Sequence, residues 1–105
     1  MRLNCFVIKR EFTMKKAIII GASSGIGYEL AVQLATRGYQ LGLMARRQER
    51  LAELNDRLPG QHFIQVTDLI DADMARTQLA ALIEQMGDVE LIVVNSGVGA
   101  SEKIL

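Results

Sequence analysis

Ala17-Ile18-Ile19-Ile20-Gly21-Ala22-Ser23-Ser24-Gly25-Ile26-Gly27 is the stretch on which the reading of this chain turns. Its first four residues are apolar, and three of them are β-branched. A strand apolar at every position has no wet face, so it belongs to a sheet covered on both sides. The run ends in a turn holding three glycines. Beyond it Ile26, Leu30, Ala31, Leu34 and Ala35 recur at helical spacing until Gly38 stops the pattern. The unit is strand, glycine turn, helix.

The same alternation continues outward. Leu41 to Ala45 is a second short apolar strand. Leu51, Leu54 and Leu58 mark a helix face, with Glu53 and Arg57 spaced for an i,i+4 pair, before Pro59-Gly60 turns the chain. Phe63-Ile64-Gln65-Val66 is a third strand. Ala75, Leu79, Leu82, Ile83 and Met86 form the next helical stripe, ended by Gly87, and Leu91-Ile92-Val93-Val94 is a fourth strand. Strands alternating with short helical crossovers require a parallel sheet with helices on both faces. The expected class is α/β, a doubly wound parallel sheet of βαβαβαβ order, truncated after the fourth strand.

Composition agrees with one small globular domain. Of 105 residues, 50% are hydrophobic and 23% charged, a balance that excludes a disordered chain. Twelve basic and twelve acidic residues cancel, so no global field favours nucleic acid or an anionic membrane, and neither is expected as a partner. No apolar run approaches the roughly 20 residues that span a bilayer. The single cysteine, Cys5, forms no internal disulfide and fits a reducing compartment, so a cytoplasmic location is expected. Residues 1–13 lack the apolar centre and cleavage site of a signal peptide. They read as a tail or an upstream start ahead of Met14, with the domain over 14–105.

The glycine turn carries the first chemical signal. Between a buried strand and a helix, glycines let backbone approach a phosphate, and the helix amides point at its charge. The spacing is G-x-x-x-G-x-G, which differs from the G-x-G-x-x-G dinucleotide pattern, and no P-loop Gly-Lys-Ser/Thr follows. A tight turn that merely needs glycine is the plainer alternative. The end of the second strand is more discriminating. NAD-binding sheets place a carboxylate there for the ribose hydroxyls. Here Arg46-Arg47 stands instead, with no acid before Glu49. Guanidinium groups bind a 2′-phosphate with charge-assisted bonds, and they are otherwise ill-placed at the positive end of a helix. NADP(H) is the cofactor indicated. Asp68 and Leu69 follow the third strand, with Asp68, Asp71 or Asp73 available to cap the next helix. Asn95-Ser96-Gly97 follows the fourth.

Taken in order, these signals make the chain resemble the short-chain dehydrogenase/reductase family from about Lys15 onward. The resemblance implies a Rossmann fold and an oxidoreductase transferring hydride between NADP(H) and a carbonyl or alcohol substrate. By that likeness Gly21, Ser23, Ser24, Gly25, Ile26 and Gly27 surround the phosphates, and Arg46, flanked by Arg47, holds the 2′-phosphate. Asp68 and Leu69 meet the adenine, while Asn95, Ser96 and Gly97 lie beneath the nicotinamide half. Ile20 stands where the family often has threonine, and Val94 and Ser96 replace two residues of its Asn-Asn-Ala-Gly motif. The larger departure is chemical. The family uses a serine and Tyr-x-x-x-Lys, whereas Tyr28 and Tyr39 are followed four positions on by Val32 and Leu43. No catalytic residue is assigned, and the chain alone is expected to be inactive. The alternative reading is a non-catalytic nucleotide-binding module or an inactive gene fragment. His62, the one histidine, reads as a strand-edge residue without metal or nucleophilic company. In strand order 3-2-1-4 the fourth strand would be an unguarded edge, inviting self-association or a complementary chain.

Overall fold

The computed structural model describes residues 15–23 and 25–95, together with the backbone of Ser101–Lys103. The readings made for the tail, for Cys5, and for Ser24, Ser96 and Gly97 lie outside these residues. The elements are β1 (Lys16–Ile20), α1 (Gly25–Thr36), β2 (Gln40–Ala45), α2 (Gln48–Arg57), β3 (Phe63–Val66), α3 (Ala72–Met86), β4 (Leu91–Asn95) and β5 (Ser101–Lys103). The first four strands form the expected parallel sheet in order 3-2-1-4, as in a Rossmann-type fold.

One expectation is corrected. The sheet order is β3-β2-β1-β4-β5, with β5 antiparallel to β4 and Asn95 opposite Ser101. The fourth strand is therefore not an open edge. Over Val93–Asn95 its outer side is met by a three-residue antiparallel strand, and along that stretch the expected edge-to-edge partner has no support. A segment so short and lacking hydrophobic alternation gives no periodic signal in the sequence.

The uniformly apolar strands do what their composition requires. Ala17 and Ile19 of β1 face α1 and α2, within a cluster that includes Leu41, Leu43, Leu51 and Leu54. Ile18 and Ile20 face the other way, against Met44, Leu82 and Met86, where α3 lies. α3 comes very close to the sheet at Gly42, where a Cβ would stand 2.7 Å from Met86 Sδ and 3.0 Å from Leu82 Cδ2. At the far end of α3 the Lys16 ammonium donates to the Met86 carbonyl, a cation placed at the negative end of the helix. Arg57 at the end of α2 pairs with Glu53 at 3.7 Å and donates to the Tyr28 hydroxyl at 3.2 Å, tying α2 to α1. The Tyr28 bond, and then the charges of Tyr28 and Glu53, raise the guanidinium pKa further.

His62 proves more than an edge residue. β3 pairs with β2 only from Gly42 onward, so the Leu41 N–H has no strand carbonyl beside it. The imidazole fills that place: Nδ1 accepts from Leu41 N at 3.0 Å, and Nε2 lies 2.7 Å from the Pro59 carbonyl. One ring thus extends the ladder by one bond and fixes the turn before β3, which requires the neutral tautomer with its proton on Nε2. His62→Ala is expected to lower unfolding stability by about 1 kcal/mol, because the Leu41 amide loses its acceptor. Urea titration of both proteins checks this. An unchanged midpoint and slope would contradict the ladder role.

Candidate functional site

The carboxyl ends of β1, β2 and β4 are level, with Ile20 opposite both Met44 and Val94. Chain order reverses between β1 and its two neighbours here, and open α/β sheets bind ligands in the crevice above such a switch point. A cleft of about 300 Å³ opens at this rim. Its floor is Ile20, Met44 and Ala45, and its walls are the turn after β1, the Arg46 corner, and the loop from Thr67 to Ile70.

The turn after β1 is built by close approach. Gly21 has φ +89°, and a Cβ there would lie 1.8 Å from the Asn95 carbonyl oxygen. Gly27 is buried on the first turn of α1, where a Cβ would stand 2.2 Å from the Gly21 carbonyl and 2.8 Å from Asn95 Nδ2. Asn95 Nδ2 donates to that carbonyl at 3.3 Å. Strand end, helix start and β4 are thereby clamped at one point. Met44 O accepts from both Gly21 N, at 2.7 Å, and Ala22 N, at 3.2 Å, which fastens the turn to β2. Gly25 serves differently: its φ of +57° lies in the left-handed region that favours glycine, and among the described residues nothing beyond its chain neighbours and its own helix lies within 4 Å of where its Cβ would be.

The two arginines are exposed, and Arg47 occupies the N-cap of α2 with no side-chain capping bond. Arg46 lines the cleft and Arg47 does not. Beyond β3, the Asp68 carboxylate accepts from Ile70 N at 3.1 Å and shapes the loop. The helix cap falls to Asp71, which accepts from Met74 N at 3.1 Å. Asp68 is thus released from capping and remains exposed on the cleft wall beside Leu69 and Ile70, which are 42% and 85% exposed.

The structure brings Gly21, Ser23, Arg46, Asp68, Leu69 and Asn95 around one cleft. Gly25, Ile26, Gly27 and Arg47 stand outside its lining, on the turn and on the first residues of α1 and α2. Thr67 and Ile70 were missed. Thr67 had one available signal, its place at the carboxyl end of a strand immediately before Asp68.

The fold and this rim define a Rossmann-type sheet with a crevice at its switch point, and comparison with known proteins narrows the class. The family model described as short chain dehydrogenase matches residues 15–105. A glucose 1-dehydrogenase of Gluconobacter oxydans is 33% identical over 93 residues, which are 85% of this chain and 35% of that protein. The alcohol dehydrogenase from the archaeon Thermococcus sibiricus complexed with 5-hydroxy-NADP superposes with a TM-score of 0.69 at 33% identity, covering 76% of this chain and 36% of that one. The F189W actinorhodin polyketide ketoreductase with NADPH gives 0.69 at 30% identity, covering 80% and 33%. The chain belongs to the short-chain dehydrogenase family of oxidoreductases. It spans about a third of the length of such relatives.

Gly27→Ala is expected to be destabilising by about 3 kcal/mol, at the upper end for overpacking, because the nearest atom in its way, the Gly21 carbonyl oxygen, is backbone and cannot rotate aside. Thermal unfolding measures it. A variant within about 0.5 kcal/mol of the parent would show that the turn is loosely held.

Proposed function

We propose that this chain is the cofactor-binding part of an NADP(H)-dependent oxidoreductase that transfers hydride between the nicotinamide and a carbonyl or alcohol substrate. The observation carrying this reading is Arg46. It stands exposed on the cleft wall at the end of β2, where NAD-binding sheets place a carboxylate. Arg47 and Arg50 lie on the same exposed corner around the start of α2. Cations at the positive end of a helix are unfavourable in free protein and become favourable when an anion arrives. The two solved relatives described above carry NADP-type cofactors, which supports the same reading.

The residues fit a dinucleotide. Gly25 leaves bare backbone at the start of α1 for a pyrophosphate. Arg46 would hold a 2′-phosphate, with Arg47 adding charge nearby. Asp68 and Leu69 offer a carboxylate and an apolar surface to an adenine, while Asn95 closes the far end of the cleft. When bound, the nicotinamide supplies the hydride donor or acceptor. This chain's own residues bind, orient and electrostatically select. They include no Tyr-x-x-x-Lys, and no residue among them is assigned the proton transfer to or from the substrate oxygen. A reducing, cytoplasmic setting belongs to this reading, and among the described residues no helix is long and apolar enough to cross a membrane.

Thermal unfolding of the full chain with NADPH and with NADH tests the proposal, since a ligand that binds only the native state raises its melting temperature. A larger rise with NADPH is expected. Arg46→Asp is expected to weaken NADPH binding by about 1–3 kcal/mol, the range for a charge-assisted bond, and to leave NADH less affected. Equal loss for both cofactors would remove the 2′-phosphate role from Arg46.

A further inference from the structure

Among the described residues three buried side-chain oxygens have no hydrogen-bond partner: Asn55 Oδ1, Gln78 Oε1 and Thr67 Oγ1. Of these residues only Thr67 lines the cleft. It follows β3 directly and is 3% exposed. Its backbone is fixed, because Thr67 N donates to Ala45 O at 2.8 Å. None of the described residues that share the cleft lining with it gives its hydroxyl a hydrogen bond.

A buried hydroxyl without a partner lowers stability, and an apolar residue of the same shape would avoid that cost. Valine fills nearly the same volume. The hydroxyl is therefore the part of this residue that the free fold does not explain. Rotation about χ1 exchanges the hydroxyl and methyl positions, and threonine populates more than one such rotamer.

We propose that Thr67 is a nucleotide-recognition residue, whose hydroxyl is orphaned in the free chain and takes its partner from the base edge of the bound dinucleotide. The inference rests on the dinucleotide reading and adds a specificity residue to it. Chemical complementarity gives it a reason. An ionised carboxylate such as Asp68 only accepts hydrogen bonds, whereas a hydroxyl also donates. Purine edges carry both ring-nitrogen acceptors and, in adenine, an amino donor. Asp68 and Thr67, adjacent in the chain, would together read both kinds of group.

The test uses the full chain with NADPH and 2′,5′-ADP as probes, and the variants Thr67→Val and Thr67→Ser. Melting temperature without nucleotide and the dissociation constant for each probe are measured. Thr67→Val is expected to melt at a higher temperature than the parent when free, yet to bind both probes roughly three- to tenfold more weakly, the effect of one lost hydrogen bond. Thr67→Ser, which keeps the hydroxyl, is expected to bind within about twofold of the parent. Unchanged affinity in Thr67→Val overturns the assignment, and so does a lower melting temperature of its free form, which would mean that the hydroxyl already has a partner. A parent chain whose melting temperature neither probe raises would overturn the dinucleotide reading, and this assignment with it. That outcome is distinct from a parent and a valine variant that bind equally well.

Discussion

The contact among Gly21, Gly27 and Asn95 is the constraint on which the rest of the structure depends. β1 must end, turn and start a helix within a few residues, while β4 comes up alongside it. Three backbones meet at distances that exclude any side chain, since a Cβ on Gly21 would sit 1.8 Å from the Asn95 carbonyl. The Asn95 amide then bridges to the Gly21 carbonyl. This junction sets the height at which β1 and β4 finish, and so creates the crevice at the switch point. It also sets the direction in which α1 leaves, and with it where the amides at the start of that helix point. Two of the three glycines are thus explained by packing before any ligand is considered. The third, Gly25, is accounted for by its own backbone, whose φ of +57° lies in the left-handed region that favours glycine.

Most of the fold was legible because it depends on apolar patterning. A strand such as Ala17-Ile18-Ile19-Ile20 is apolar throughout because Ala17 and Ile19 enter one core while Ile18 and Ile20 enter the other. Helices α1, α2 and α3 follow from leucine and alanine stripes that fit those two faces. Local capping was legible only as a set of choices: Asp68, Asp71 and Asp73 all offered a carboxylate, and the geometry selects Asp71. What remained hidden depends on polar atoms meeting across the chain. The His62 ring stands in for a strand carbonyl because β3 begins one residue too late to serve Leu41. Neither residue type nor spacing announces that. The return of β5 onto β4 was missed for the opposite reason, because it is a backbone pairing too short to leave a pattern.

The molecule's polar demands are met unevenly, and the unevenness has a location. Away from the rim, exposed helix ends and turns find partners: Lys16 on the Met86 carbonyl, Arg57 on Tyr28 and Glu53, His62 on Leu41 and Pro59. At the rim some do, Asp68 accepting from Ile70 N and Asp71 from Met74 N, while others do not. Arg47 sits at a helix N-cap without capping it, Ile26 is 68% exposed, and the Thr67 hydroxyl is buried without a partner. The uncapped helix start and the orphaned hydroxyl each lower the stability of the free chain, and a polar N-cap or a valine at 67 would remove the cost. Orphaned buried oxygens also lie away from the crevice, at Asn55 and Gln78, but an uncapped arginine corner, exposed apolar side chains and the Thr67 hydroxyl come together beside it, a combination that a ligand in the crevice would use. An anion would relieve the arginine corner, an extended apolar surface would cover Ile26 and Ile70, and a hydrogen-bonding edge would satisfy Thr67. A phosphorylated dinucleotide carries all three of these features in one ligand, and a simple anion or an apolar ligand carries only some of them.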